Sequence, residues 1–353
     1  MEDVDTWTDE IFLDKARITL DGKITNTAIL LLGKDEASAL LSPAVGQISW
    51  ISKYAPEGYE HFHTPFLLTV NKVLACIRNT KYRYMIDDTT LFPDEVTHYD
   101  DWVLRETLNN AIAHSDYSQS CRIIMLEYNN KLIFENAGSF IPNSVEEVIH
   151  YNRPQRYYRN LFLVEAMVNL NMIDTIGSGI KRIFTIQKER FFPLPTYDIS
   201  DENHTEVTIH GELINENYSR QLKKHPELLL DDVIALDKVQ KKEELTKSEL
   251  ERLRTLKLIK GRSTALEIVG DANLIGLTNT DYKQMVLDLL KEKGTATRED
   301  LETLLLPLLP PDLSTAKQQK KVSNIVSELS HKGGKIKNIS PSTKSPVWKL
   351  ADT

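Results

Sequence analysis

The sequence lacks long apolar runs and is poor in cysteine. Among its 353 residues there is no stretch of about 18 apolar residues, so no membrane-spanning helix is predicted. Cys76 and Cys121 are the only cysteines and lie far apart, which argues against a disulfide framework and favours a reducing compartment. The segment MEDVDTWTDE is acidic and has no basic-then-apolar signal pattern. We therefore expect a cytoplasmic protein.

A phosphate-binding P-loop is also missing. The motif G-x-x-x-x-G-K-[ST] does not occur anywhere, and Lys34 after Gly33 has neither a glycine-rich loop before it nor a Ser or Thr after it. The sequence therefore excludes a P-loop helicase motor.

Positive charge is scarce over most of the sequence and concentrated near its C-terminal end. The formal net charge is -8, yet residues 315–353 contain 8 Lys and Arg and only 2 Asp and Glu. A basic end on an acidic body is compatible with local contact to nucleic-acid phosphates. A solvated lysine-rich surface is the equally weighted alternative.

The order of predicted elements indicates a multidomain α+β protein. We expect an α/β segment at 1–95, an α/β sandwich at 96–213, a winged helix at 214–270 and a second winged helix at 281–353. Within the first segment, Ala28–Gly33 (AILLLG) is interpreted as a strand. Residues 271–280 are a candidate linker.

The two C-terminal segments share one pattern, in which helices precede a short hairpin. In the first, Thr246 and Glu249 form a T-x-x-E capping box that opens a helix. In the second, three helices precede a hairpin, and the third helix places Val322, Ile325 and Val326 on one buried stripe.

A helix predicted over residues 101–114 carries an unusual polar stripe. Glu106, Asn110 and His114 recur every fourth residue and share one face, whereas Leu108 and Ala111 face the core. A buried carboxylate beside an amide needs a compensating partner, which a hydrated Mg²⁺ with phosphates would supply. The Glu could then orient or deprotonate a water. An ordinary exposed face is the competing interpretation.

Two glycine turns strengthen the hypothesis of a nucleotide pocket. Asn136 and Gly138 end a predicted strand, and Gly177 and Gly179 precede a predicted helix. Glycines at such places let the backbone approach a ligand, and a helix N-terminus favours phosphate. A pair of histidines, His61 and His63, could bind a metal, but no third ligand lies at suitable spacing, so an ordinary loop is preferred.

In this order the motifs resemble the GHKL ATPase superfamily of gyrase, histidine kinases and MutL. They resemble more closely the bacterial RecG-related transcriptional regulators, which join a Schlafen-type AlbA domain, a GHKL-like domain and C-terminal winged helices. The resemblance rests on RETLNNAIAHSDY, FENAGSF, YRNLF, IGSGIKRI and ITNTAILLLGKD. It is most specific over residues 101–183, and it implies that the AlbA core is missing here.

The resemblance also implies roles for individual residues. Glu106 matches the catalytic glutamate and Asn110 the Mg²⁺-binding asparagine. Gly138 matches the first glycine box, and Gly177 and Gly179 match the second. Asn136 stands where the superfamily usually has the aspartate that binds the adenine amino group. ATP and Mg²⁺ are the implied cofactors, and at most a weak ATPase is expected.

These features together favour a DNA-binding transcriptional regulator with a GHKL-type nucleotide-binding-like domain. Six lysines of the second winged helix would contact DNA phosphates: Lys317, Lys320, Lys321, Lys335, Lys337 and Lys344. An ATP-binding or ATP-hydrolysing switch acting on DNA is the first alternative. A non-catalytic scaffold that uses its winged helices for protein contact is the second. Regulators of this kind are often homodimers.

Overall fold

The computed structural model describes residues 4–84, 94–142, 144–150, 158–173, 179–263, 265–270, 279–306, 315–332, 334–340 and 346–351. The chain divides into two compact units, one of residues 1–258 with 263–266 and one of residues 259–262 with 267–353. Within the described ranges, every helix is too short or too polar to cross a membrane.

The first unit mixes helices and strands along its whole length. Its helices are α1 (Asp9–Lys15), α2 (Asn26–Leu32), α3 (Phe66–Cys76), α4 (Asp101–His114), α5 (Val145–His150), α6 (Leu161–Asn169), α7 (Gly179–Glu189), α8 (Glu216–Lys224), α9 (Leu230–Lys241) and α10 (Lys247–Thr255). Its strands are β1 (Thr19–Leu20), β2 (Lys23–Ile24), β3 (Gln47–Ser52), β4 (Gly58–His63), β5 (Lys81–Tyr84), β6 (Asp94–Thr97), β7 (Ile123–Glu127), β8 (Lys131–Ala137), β9 (Thr196–Asp198) and β10 (His204–His210). Two 3₁₀ segments, Val4–Thr6 and Asp35–Leu41, complete the set. The predicted α+β class is confirmed.

A mixed six-stranded sheet, in the order β4-β3-β7-β8-β10-β9, organises this unit. Strands β3 and β7 are parallel, with Trp50 opposite Met125, and the other neighbours are antiparallel. The β7–β8 hairpin appears where the sequence predicts it, around Asn129 and Asn130. Because β3 lies in the predicted 1–95 segment and β7 in the predicted sandwich, the sheet crosses the predicted 95/96 boundary.

Helix α4 packs on this sheet with the predicted bounds. Asp100 caps it by accepting hydrogen bonds from the backbone N–H groups of Trp102 and Val103. Leu108 and Ile112 of α4 are fully buried in the same core as Met125 and Phe134 of the sheet. Each such side chain contributes about 2 kcal/mol from burial, so the apolar stripe fixes how α4 lies on the sheet.

Two secondary-structure predictions are wrong. Residues 28–32 lie in α2 rather than in a strand, and Gly33 follows the last helical residue. Thr25 caps this helix by accepting from the Ala28 N–H at 3.1 Å. A short apolar run suits a buried helix as well as a buried strand, and Leu30 and Leu31 are buried here. His61 and His63 lie in β4 rather than in a loop, since that segment pairs along its length with β3.

Helices α8, α9 and α10 follow the sheet, and the capping box of Thr246 and Glu249 is confirmed at the start of α10. The next chain segment forms a two-stranded sheet of β11 (Ile259–Arg262) and β12 (Ala265–Ile268). Of the predicted linker at 271–280, residues 271–278 lie outside the described residues.

The second unit has its own core. It contains α11 (Asn279–Lys293), β13 (Thr295–Thr297), α12 (Arg298–Leu305), α13 (Thr315–Ser327), a π-helical turn (Glu328–Lys332), β14 (Ile336–Asn338) and β15 (Val347–Leu350). Strands β13, β14 and β15 form an antiparallel sheet in the order β13-β15-β14. The predicted stripe of Val322, Ile325 and Val326 is buried, and Trp348 of β15 packs into the same cluster.

Candidate functional site

A cavity of about 690 Å³, its open mouth included, lies beside α4 in the first unit. Helix α4, strands β8 and β10 and the segment after β8 supply most of its lining: Thr107, Asn110, Ala111, His114, Phe134, Asn136, Ser139, Phe140, Ile141, Pro142, Ile180, Tyr197, Thr205 and Val207. The lining is largely apolar with a few polar groups, which is typical of a small-molecule site. The structure thus brings Asn110, His114 and Asn136 to one cavity.

Glu106 lies one turn before Asn110 on α4. Its side chain is buried, with 6% exposed, and is not among the described residues that line the cavity. The Asn110 Nδ2 atom donates a hydrogen bond to Glu106 Oε1 at 3.2 Å. The predicted polar stripe therefore divides in two: Asn110 and His114 face the cavity, whereas Glu106 is paired behind it.

Gly179 is the first residue of α7 and lies directly against Glu106. An ideal Cβ on Gly179 would come within 1.9 Å of Glu106 Oε1. A side chain there would displace the carboxylate, which lies beside the first residue of α7. A negative charge at that end of a helix is favourable. Gly177, the other glycine predicted here, lies outside the described residues.

Gly138 forms the turn at the end of β8. Its φ of +93° is in the region that favours glycine. The Gly138 N–H donates to the Asn203 carbonyl at 2.6 Å, and the Thr205 hydroxyl donates to the Gly138 carbonyl at 2.9 Å. These bonds fix the turn next to Asn136, which is 8% exposed and lines the cavity.

The Asn136 side chain is fixed by one hydrogen bond to the backbone of the next residue. Its Nδ2 donates to the Ala137 carbonyl at 3.0 Å. A primary amide has a second N–H and a carbonyl oxygen, so it can both donate to and accept from a ligand. An aspartate at this position could only accept.

Titratable groups of the cavity are held neutral. Burial, together with a smaller contribution from the charge of the nearby Arg159, lowers the pKa of His114 to about 4. Burial raises the pKa of the Tyr197 hydroxyl, and the Glu106 charge adds to that rise. At neutral pH both side chains therefore offer hydrogen bonds without carrying charge.

Sequence reasoning did not assign a role to Arg159 or Asn160. Arg159 donates to the His114 carbonyl at 2.6 Å and to the Ser139 carbonyl at 2.9 Å. Asn160 donates to the carbonyls of Ala113 at 3.0 Å and Ser115 at 2.7 Å. The only signal was the YRNLF segment. No local spacing connects it to α4, which lies more than 40 residues earlier.

Residues 120–209 match the family described as "Putative ATP-dependent DNA helicase recG C-terminal". Over this region the chain is similar to a RecG-related, ATPase-like family. The region contains Asn136, Gly138 and Gly179, whereas Glu106 and Asn110 precede it in the chain.

The chain is also similar to a solved structure, that of the DIP2311 protein from Corynebacterium diphtheriae. The TM-score is 0.46 and the sequence identity is 15%, and the alignment covers 98% of this chain. The chain spans 65% of the length of that protein. No protein with a curated sequence matches the chain.

The polar groups of the cavity suit Mg²⁺ better than a metal ion that needs several side-chain ligands. Among the residues that the structure describes, no three His, Cys, Asp or Glu side chains come together as a metal site. Asn110 supplies an amide oxygen at the cavity wall, and Mg²⁺ commonly uses one or two protein ligands with water and phosphate. When bound, the ion would neutralise phosphate charge.

The predicted DNA-contacting lysines lie in the second unit. Lys320 and Lys335 are exposed, and Lys337 of β14 is half-buried. The Lys321 ammonium lies 5.1 Å from the centre of the Tyr282 ring, so part of its side chain packs on α11. The side chain of Lys317 and the whole of Lys344 fall outside the described residues.

Proposed function

We propose that the chain is a DNA-binding regulator whose ATPase-like region binds a purine nucleotide together with Mg²⁺. The observation that carries this proposal is the convergence of Asn110, His114 and Asn136 on one cavity. That cavity is built partly from the region that matches the RecG-related family.

The cavity has parts suited to a nucleotide base. Phe134, Phe140 and Tyr197 supply aromatic surface, and the Phe140 and Tyr197 ring centres lie 5.9 Å apart. Asn136 supplies an amide that can pair with the polar edge of a base. A purine combines an apolar face with a polar edge, so it matches this lining.

Binding is favoured over turnover. Glu106 is the residue expected to orient water, but its carboxylate is engaged by Asn110 and lies against the first residue of α7. Base catalysis requires the carboxylate within hydrogen-bond reach of the attacking water. Hydrolysis would therefore require Glu106 to leave its present partner, and we expect turnover to be slow.

The DNA-binding part of the proposal rests on the second unit. Three helices followed by paired strands are the arrangement of a winged helix, in which the third helix enters the major groove. In this unit the third helix is α13, which buries Val322 and Ile325 and leaves Lys320 exposed. Lysines at such a surface would contact phosphates.

A thermal-shift titration of the whole chain tests the nucleotide part. A ligand that binds only the folded state raises the melting temperature, and the rise grows with the logarithm of the ligand concentration relative to Kd. We expect ATP and ADP to raise the melting temperature with Mg²⁺ and to do so less with chelator. The same melting temperature at every nucleotide concentration would contradict nucleotide binding and favour the scaffold alternative.

A further inference from the structure

Helix α4 ends in an unusual way. The last carbonyls of a helix have no partner inside the helix. Here two adjacent side chains from a distant segment donate hydrogen bonds to these carbonyls. Asn160 donates to the carbonyls of Ala113 and Ser115, and Arg159 donates to the carbonyl of His114. A cation at the C-terminal end of a helix also complements the helix dipole.

Asn160 is diverted from its local use. It is the residue that precedes α6, a position where an asparagine side chain usually caps the helix, yet it makes no capping bond to α6. Its amide instead reaches α4. The pair of residues is thus arranged around α4 rather than around its own helix.

Arg159 reaches a second element that Asn160 does not. The Arg159 Nη2 atom donates to the Ser139 carbonyl at 2.9 Å, in the segment that follows β8. The guanidinium lies directly on the glycine turn, because a Cβ on Gly138 would be 2.6 Å from Arg159 Nη1. The absence of a side chain at Gly138 is what makes room for the cation.

The two elements joined by Arg159 are two walls of the cavity. His114 lines it from α4, and Ser139 lines it from the segment after β8. Arg159 itself is not among the described residues of the lining. We propose that Arg159 is a positioning residue, which fixes the separation of these two walls and thereby the affinity for nucleotide. This role rests on the proposed nucleotide site.

The chemistry of this link is specific to arginine. A guanidinium is a planar fork whose nitrogens can serve two acceptors at once. Lysine keeps the positive charge at the end of α4 but has a single nitrogen, so it cannot hold both walls in the same geometry. Asn160→Ala is the matched control, because it removes two bonds to the same end of α4 and none to Ser139.

The test is calorimetry with ATP and Mg²⁺ on the whole chain, for wild type, Arg159→Lys, Arg159→Ala and Asn160→Ala, with melting temperatures of each. We expect Arg159→Lys to weaken nucleotide binding by about tenfold, the effect of losing one charge-assisted hydrogen bond. Asn160→Ala should lower the melting temperature at least as much and change the affinity by less than about threefold. Added guanidinium ion should restore binding to Arg159→Ala.

If wild type binds and Arg159→Lys binds equally well, the positioning role is wrong and the nucleotide site stands. An equal loss of affinity in Arg159→Lys and Asn160→Ala would reduce Arg159 to a general stabiliser of α4. If wild type does not bind nucleotide, the proposed nucleotide site is wrong, whatever the role of Arg159. Amide hydrogen exchange at residues 139–141 then still tests the link between the walls, since Arg159→Lys should accelerate it and Asn160→Ala should not.

Discussion

The Glu106 carboxylate accepts a hydrogen bond from the Asn110 amide one helical turn away, at 3.2 Å. Gly179 lies so close to the same carboxylate that an added Cβ would force the carboxylate or α7 to shift. A buried carboxylate must be satisfied, and here Asn110 of the same helix donates to it while the first residue of α7 lies against it. Glu106 therefore has a structural role that is independent of any catalysis.

Replacement of Glu106 separates these two roles. Glu106→Gln keeps the shape of the side chain and removes its charge, so we expect nucleotide affinity to survive and any phosphate release to disappear. Glu106→Ala leaves buried polar groups without their partner and should destabilise the fold by about 2 kcal/mol. Phosphate release that continues in Glu106→Gln would show that Glu106 is not the base.

Gly179→Ala tests the close approach itself. An added methyl group would meet Glu106 Oε1, so either the carboxylate or α7 must move. Overpacking of this kind costs about 1–3 kcal/mol. Gly58→Ala is the control, because a Cβ there meets nothing within 4 Å and its effect should stay within about 0.5 kcal/mol. Denaturant unfolding of both variants gives the comparison, and equal stabilities would contradict the assigned contact.

The sequence predicted α4 well because its signals are local. An apolar stripe and a polar stripe both lie within residues 101–114, and the helix has the predicted bounds. The run at residues 28–33 was ambiguous for the opposite reason. Its apolar residues do not distinguish a buried strand from a buried helix, and the deciding feature is the Thr25 cap just before it.

Other features depend on contacts between distant segments. The parallel pairing of β3 with β7 joins residues more than 70 positions apart, and no pattern in either strand encodes it. The same holds for Arg159, whose partners His114 and Ser139 lie 45 and 20 positions away. Asn110 and Asn136 of the cavity thus lie in motifs that the sequence singles out, whereas no pattern pointed to Arg159, which joins two of its walls.

Charge removal on α13 tests the proposed DNA surface. Lys320→Ala combined with Lys321→Ala should weaken binding to DNA of any sequence. It should also reduce the slope of log Kd against the logarithm of salt concentration by about one to two. Lys291→Ala combined with Lys293→Ala is the charge-matched control, since these two lysines are paired with Asp288 and Asp300. Fluorescence anisotropy over a salt series measures both. A double variant of α13 that behaves like the control would move the DNA surface elsewhere.

The His114 imidazole should make stability depend on pH. Burial, with a contribution from Arg159, lowers its pKa from 6.5 to about 4 in the folded state. Between these two pH values the unfolded chain binds the proton and the folded chain does not, so the free energy of unfolding should fall as pH drops from 6.5 towards 4. Above 6.5 this group should have no effect.

His114→Gln should flatten that dependence. Denaturant unfolding at pH 7 and pH 5 gives the difference for wild type, for this variant and for His61→Gln, which removes an exposed imidazole on β4. The wild-type difference should persist in His61→Gln and shrink in His114→Gln. Equal differences in all three proteins would show that His114 is not held neutral by its surroundings.

Calorimetric titration of wild type and Asn110→Ala with ATP, in Mg²⁺ and in chelator, tests the proposed function most directly. We expect wild type to bind ATP and chelator to weaken that binding. Asn110→Ala should bind at least about tenfold more weakly while remaining folded, because the cavity loses its amide ligand. Binding that is unaffected by both chelator and Asn110→Ala, or no binding by wild type at millimolar ATP, would contradict it.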